Sequence, residues 1–242
     1  MTVLKHGSRA ITSKSGSADF LEAIGLDLES DINKIQRSLE TLNFCFFFAP
    51  AFHPAFKEIG PVRKTLASKG QRSIFNIIGP LINPGRPAYQ LLGVFAEIWV
   101  EPLANALQNL GLKRGLVVHG KLPDNKAMDE LTCAGENRVT GVGELNQINA
   151  VWIPNDFGLD ECELSDLTGG SSEENLELLD DILNGGGRQG LINTLSWNAG
   201  TALWIAGLAK NPVEGIEQAK LILLNGRVKD WLNRAKEFYA SR

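Results

Sequence analysis

Gly115-Leu116-Val117-Val118-His119-Gly120 is a short apolar run closed at both ends by glycine, and its reading decides the class of fold. The run is too short for a helix and reads as a buried strand. Upstream, Trp99, Val100, Leu103, Leu107 and Leu110 recur every three or four residues and stop at Gly111, which predicts a helix leading into that strand. Earlier still, Ile74-Phe75-Asn76-Ile77-Ile78, bounded by Gly79-Pro80, and Tyr89 to Phe95 are further short apolar runs. Downstream, Ala150-Val151-Trp152-Ile153 reads as another buried strand. Strands separated by helices predict an α/β fold, a sheet with flanking helices and at least partly parallel pairing.

Toward the N-terminus, Leu28, Ile32, Ile35, Leu39 and Leu42 carry helical spacing, and Gly25 is a stop for an earlier helix. Phe44 to Phe48 reads as a buried segment that Ala49-Pro50 ends, and Ala51 to Arg72 as loop followed by helix. The C-terminal third reads as helical. Ser171 and Glu174 have capping-box spacing, Gly185-Gly186-Gly187 ends that helix, and Asn211-Pro212 starts a later one. Val228, Trp231, Leu232, Ala235 and Phe238 line one face of the last helix. No repeat or clear linker divides residues 1–242, whose length suits one large domain or a domain with a small appendage.

The chain has 242 residues, 43% hydrophobic and 21% charged, which is enough for a substantial core. A net charge of −4 argues against a nucleic-acid binder, because that class carries a positive field. The three cysteines, Cys45, Cys133 and Cys162, are scattered and form no CxxC pair, so neither a disulfide framework nor a zinc site is expected. No apolar run has the length of a membrane span, and Lys5 and His6 interrupt any signal-peptide core. A cytoplasmic protein without a membrane partner is the expectation.

Chemistry gathers at the start. Lys5-His6-Gly7-Ser8-Arg9 runs into Thr12-Ser13-Lys14-Ser15-Gly16-Ser17, ahead of the helix-like Ala18 to Ile24. Cations, hydroxyls and glycines before a helix N-terminus suit a phosphate-rich anion, though a solvated, capped loop fits equally. Asp129-Glu130 offers two carboxylates to a hard cation such as Mg²⁺, the usual companion of a pyrophosphate leaving group; a solvated acidic loop is the bland alternative. Arg63 can pair with a carboxylate or stand as an exposed helix charge. His53 can contact a ligand or sit structurally among aromatic neighbours. Asn76 and Asn83, around Gly79-Pro80, suit either a rigid corner or the bracing of a neighbouring loop, and Gly200 in Asn198-Ala199-Gly200 suits close helix packing.

Together these pieces resemble the anthranilate phosphoribosyltransferase family. Lys5 to Ala10 and Ser13 to Asp19 look like its KHGNR…SKSGSAD signature, and Phe48 to Ala55 like its FAPxxHPA segment. Pro61-Val62-Arg63, Ser73 to Pro84, Asp129-Glu130, Asp156 to Leu159, Gly169-Gly170 and Asn198 to Leu203 follow in the family's order, over nearly the whole chain.

The resemblance implies the C-terminal α/β domain of a nucleoside phosphorylase/phosphoribosyltransferase-like fold, with remnants of a helical subdomain. It implies transfer of the phosphoribosyl group from phosphoribosyl pyrophosphate to anthranilate, in tryptophan biosynthesis, by a cytoplasmic homodimer using Mg²⁺. Carried over, Lys5, His6, Gly7, Ser8, Arg9, Ser13 and Ser17 contact phosphoribosyl pyrophosphate. Arg63 holds the anthranilate carboxylate, His53 lines the aromatic substrate's path, and Asp129 and Glu130 bind Mg²⁺. Three departures stand out. The family's GTGGD loop and N-terminal helices are not among these residues, so the resemblance implies an incomplete catalyst. Ser8 replaces the family's acceptor-contacting asparagine, and the Leu66 to Gln71 connection is longer than usual. A paralogue or nucleoside phosphorylase relative with another acceptor, and a non-catalytic, nucleic-acid-binding relative, stay open as alternatives.

Overall fold

The computed structural model describes residues 1–9, 14–29, 31–71 and 73–241, without the side chains of Phe56, Lys57, Arg63 and Ala67. In chain order come β1 (Val3–Gly7), α1 (Ser17–Ile24), α2 (Ile32–Leu42), β2 (Phe44–Phe48), α3 (Ala49–Phe52), α4 (Pro54–Glu58) and α5 (Gly60–Ser68). Then follow β3 (Tyr89–Gly93), α6 (Val100–Asn109), β4 (Arg114–Lys121), β5 (Ala127–Met128), β6 (Glu136–Gly143) and β7 (Asn149–Trp152). Helices α7 (Leu164–Leu167), α8 (Ser172–Leu183), α9 (Gln189–Ile205), α10 (Pro212–Leu224) and α11 (Arg227–Ala240) complete the chain. The α/β class expected from the sequence holds. Contacts divide the chain into two compact units, one of residues 1–86, 169–180 and 228–242, the other of 87–168 and 181–227.

In the first unit β1 and β2 pair in parallel, Lys5 opposite Phe46 and Gly7 opposite Phe48. The start of the stretch read from sequence as an anion loop is therefore strand: Lys5, His6 and Gly7 complete β1 because the largely buried Phe44-Cys45-Phe46-Phe47-Phe48 run offers a strand to pair with. Pro50 stops that ladder as expected and takes a first-turn position of α3, where its missing N–H is not needed. Ile74-Phe75-Asn76-Ile77-Ile78 corrects the strand reading. It forms a 3₁₀ turn over Ile74–Asn76, because the Asn76 carboxamide accepts the Ser73 N–H at 2.8 Å and folds the run back, leaving Ile74 61% exposed. The unusual length of 66–71 is a helix end: Gln71 N–H donates to Leu66 O at 2.9 Å past Gly70, whose φ of +67° completes a Schellman closure of α5.

Helix α11 seals this unit. Trp231 stacks edge-on against Phe44 and donates its indole N–H to Leu42 O at 3.0 Å. The fully buried Ser38 hydroxyl donates to Phe44 O at 2.7 Å and lies 2.8 Å from the Tyr239 hydroxyl. Removing it strands two buried oxygens, so Ser38→Ala is expected to cost about 1–3 kcal/mol of stability in urea unfolding, with no change in slope.

The second unit is built on the sheet order β3-β4-β6-β7, with β5 beside β4. Only β3 and β4 run parallel; β4–β6, β6–β7 and β4–β5 are antiparallel. Partly parallel pairing was expected; the antiparallel step from β4 to β6 passes through a 3₁₀ turn over Pro123–Asn125 and the short β5, without an α-helix. Leu116 and Val118 of β4 meet Trp197 and Ile205 of α9 in one core, whereas Val117, out of phase and also fully buried, lies outside that cluster. Strand β4 is thus buried on both faces, as its sequence predicts. Strand β7 is not: Val151 is 52% exposed, so the Ala150 to Ile153 run is a half-covered strand. Helices α9 and α10 cross backbone to backbone, since a Cβ on Gly200 would lie 2.3 Å from Ile216 N and one on Gly215 would lie 2.2 Å from Gly200 O. Among the described residues no helix is long and apolar enough to cross a membrane.

Candidate functional site

Gly7, at the end of strand β1, faces the start of α1, its Cβ position 3.8 Å from Ser17 Cβ. A strand end facing a helix start is the common geometry for anions. The helix is capped from within: Gly16 N–H donates to Asp19 Oδ2 at 2.9 Å. Arg9 takes up this acidity. Its guanidinium forks onto Glu22 at 2.5 and 3.0 Å, reaches Asp19 at 3.4 Å, and sits 5.7 Å above the Phe48 ring. The fork expected for phosphate therefore holds a carboxylate, in an exposed pair that a multivalent anion can compete away. The Glu22 carboxyl is held below its ordinary range, first by the hydrogen bond from Arg9. Ser8 donates its hydroxyl to Arg9 O at 3.3 Å, and Ser15 meets Ser172 hydroxyl to hydroxyl at 2.9 Å. Lys5 is exposed on β1. Ser13 lies outside the described residues, as does the side chain of Arg63, whose backbone falls in α5.

His6 and His53 come together. His53, just after α3, places its ring edge-on to His6 with centroids 5.1 Å apart. The His6 Nδ1–H donates to Gly79 O at 3.2 Å, so Nε2 carries the lone pair, and that atom is buried with no hydrogen-bond partner among the described residues. Burial pushes the His6 imidazole pKa down, and His53 adds to this, while the Gly79 carbonyl opposes it. The ring is thus a neutral acceptor. Asn83 braces, though a strand where its sequence setting suggested a loop or a rigid corner: its Nδ2 donates to Leu4 O at 2.9 Å, and its Oδ1 accepts Gly85 N–H at 2.9 Å.

In the second unit Asp129 and Glu130 follow β5, Asp129 exposed and Glu130 half-buried. Their backbone is gripped from two sides. A Cβ on Gly93, at the end of β3, would fall 1.5 Å from Asp129 O. Asn198 of α9 accepts Leu131 N–H at 3.1 Å and donates to Leu131 O at 2.7 Å, holding the next residue as a strand partner would. Close packing was the expected role of the Asn198-Ala199-Gly200 segment; Gly200 fills it, and Asn198 adds this brace, for which a polar residue on an apolar helix was the only signal. Among the described residues no three His, Cys, Asp or Glu side chains gather as a metal site. Two adjacent carboxylates fit Mg²⁺, which binds through one or two carboxylates and keeps its other positions for water and substrate phosphate.

A family model described as "Glycosyl transferase family, a/b domain" matches residues 1–229. The anthranilate phosphoribosyltransferase of Idiomarina loihiensis is 44% identical over 209 residues, which cover 86% of this chain and 59% of that protein. The enzyme of the same name from Shewanella sp. is 38% identical over 232 residues, covering 96% of this chain and 65% of its own. The chain therefore spans about three-fifths of the length of these curated relatives. Among solved structures, anthranilate phosphoribosyltransferase from Thermus thermophilus superposes with a TM-score of 0.86 at 41% identity, over 98% of this chain and 68% of that one. The Saccharomyces cerevisiae enzyme in complex with PRPP and Mg shares the fold, with a TM-score of 0.86 at 24% identity, over 100% of this chain and 66% of its own. This chain belongs to the glycosyl transferase family, a/b domain, among relatives that are anthranilate phosphoribosyltransferases.

Proposed function

We propose that this chain serves the transfer of a phosphoribosyl group from phosphoribosyl pyrophosphate to the amine of anthranilate, the step its relatives are named for, in tryptophan biosynthesis. Lys5, His6, Gly7, Ser8, Arg9, Ser13 and Ser17 contact the donor, Arg63 grips the anthranilate carboxylate, and His53 lines the acceptor's path. Asp129 and Glu130 hold Mg²⁺, which when bound neutralises charge on the departing pyrophosphate. The ribose C1–O bond breaks with its electron pair on pyrophosphate, the C1–N bond forms from the amine lone pair, and the amine gives up one proton to the departing pyrophosphate or to water. An oxocarbenium-like displacement of this kind asks for positioned partners and a stabilised leaving group more than for a strong base.

The observation that supports this reading best is the meeting of His6, from the donor strand, with His53, from the acceptor segment, at 5.1 Å. Ser8, where the family carries asparagine, is the residue that keeps a different acceptor in view. The same reading makes the protein a cytoplasmic homodimer. Calorimetry of phosphoribosyl pyrophosphate on this chain is expected to give a saturating heat that requires Mg²⁺, and anthranilate then to bind the donor-loaded form. Absence of heat with Mg²⁺ present would sink the donor assignment; donor heat without anthranilate binding would sink the acceptor.

A further inference from the structure

Strand β1 has five residues and, among the described residues, pairs only with β2. A parallel pair of that length is weak by itself. Three contacts from the turn over residues 79–85 make up the deficit, all of them within the first unit. Gly79 O accepts the His6 Nδ1–H at 3.2 Å, and the Asn83 carboxamide spans from Leu4 O to Gly85 N–H at 2.9 Å each. Gly85 lies so close that a Cβ there would stand 2.8 Å from Leu4 Cδ1 and 3.0 Å from Phe47 Cε2. Asn83 alone uses donor and acceptor together, one on the strand and one on its own turn.

We propose that Asn83 is a positioning residue: its carboxamide latches the 79–85 turn onto β1, and so fixes the tautomer and direction of the His6 ring beside His53. The reasoning is geometric. Gly79 O fixes which His6 nitrogen carries the proton only while the turn stays docked, and Asn83 is the side chain that docks it. An imidazole held this way presents Nε2 as an acceptor at a constant position. Its functional half rests on the donor reading of Lys5 to Arg9; its structural half does not.

Two variants test it. Asn83→Asp keeps an oxygen for Gly85 N–H but turns a second one, without a hydrogen, toward Leu4 O. Gly85→Ala leaves every hydrogen-bonding group in place and pushes the turn off Leu4 and Phe47. In both, ¹⁵N NMR of the His6 ring is expected to lose the pure Nδ1–H signature and move to the tautomer mixture of a free imidazole. Affinity for phosphoribosyl pyrophosphate with Mg²⁺, by calorimetry, is expected to fall about tenfold, equal to about 1.4 kcal/mol. Parental ring tautomer in both folded variants would overturn the latch. A disturbed tautomer with parental donor affinity would overturn the positioning role. If the parent chain binds no donor, the functional reading falls and the NMR result still decides the latch.

Discussion

Changing Asp129 and Glu130 together to alanine in a complete enzyme containing this chain is expected, on the proposed function, to remove the Mg²⁺-dependent part of turnover, a loss of about 10²–10³-fold, on the scale of deleting a preorganised charge stabiliser. The fold should barely notice. Asp129 is exposed, and the segment is held through its backbone: Gly93 packs on Asp129 O, and Asn198 brackets the N–H and carbonyl of Leu131. The double variant is therefore expected to melt within a few degrees of the parent, which separates the loss of a cation site from the loss of a structure. Asp129→Asn with Glu130→Gln makes the sharper comparison, since shape is kept and charge removed. The measurement is turnover of phosphoribosyl pyrophosphate and anthranilate by that complete enzyme across a Mg²⁺ titration. Identical curves for parent and both double variants would take the cation assignment away from this pair.

What the sequence disclosed depended on how local each signal was. Strand β4 was legible because its centre, Leu116-Val117-Val118, is buried on both faces and so is apolar at consecutive positions. Glycines at helix ends were legible for a similar reason, and Gly25 does close α1 with φ +103°. Strand β6 was not legible. Its buried face includes Asn137, which spends its carboxamide on Thr132 N and O, Gly135 O and Trp152 O, so a fully buried position looks polar in sequence. The Ile74 to Ile78 run misled in the opposite direction, because Asn76 closing on Ser73 decides the turn and hydrophobicity does not. At the candidate site, residue types were readable and pairings were not. Arg9 looked like a phosphate fork, but only the fold brings Glu22 and Asp19 around to occupy it. His6 and His53 lie 47 positions apart in sequence, and no spacing rule relates them; the parallel register of β1 on β2 and the short α3 bring their rings together.

Gly93→Ala is expected to do what loss of the carboxylates does not, which is to break the fold where the site is mounted. Position 93 needs no unusual backbone, so the cost is steric alone. The new methyl group would have to occupy a point 1.5 Å from Asp129 O, 2.3 Å from Asp129 C and 3.0 Å from Glu130 N. Those atoms are backbone and have no rotamer to escape into. Downstream, Asn198 holds Leu131, itself fully buried, so the segment cannot slide away without uncovering core. Either strand β3 loses its register with β4 or the acid pair is driven outward; both routes carry overpacking costs of about 3 kcal/mol or more. For a chain of this size that corresponds to a melting point lower by roughly 6–12 °C. Gly111→Ala is the matched control: it too adds one methyl, at a φ of +78° but with nothing within 4 Å of the new Cβ, and is expected to cost about 1 kcal/mol. If Gly93→Ala melts at or above Gly111→Ala, the close approach of β3 to the Asp129 backbone is wrong, and the account of how the acid pair is held goes with it.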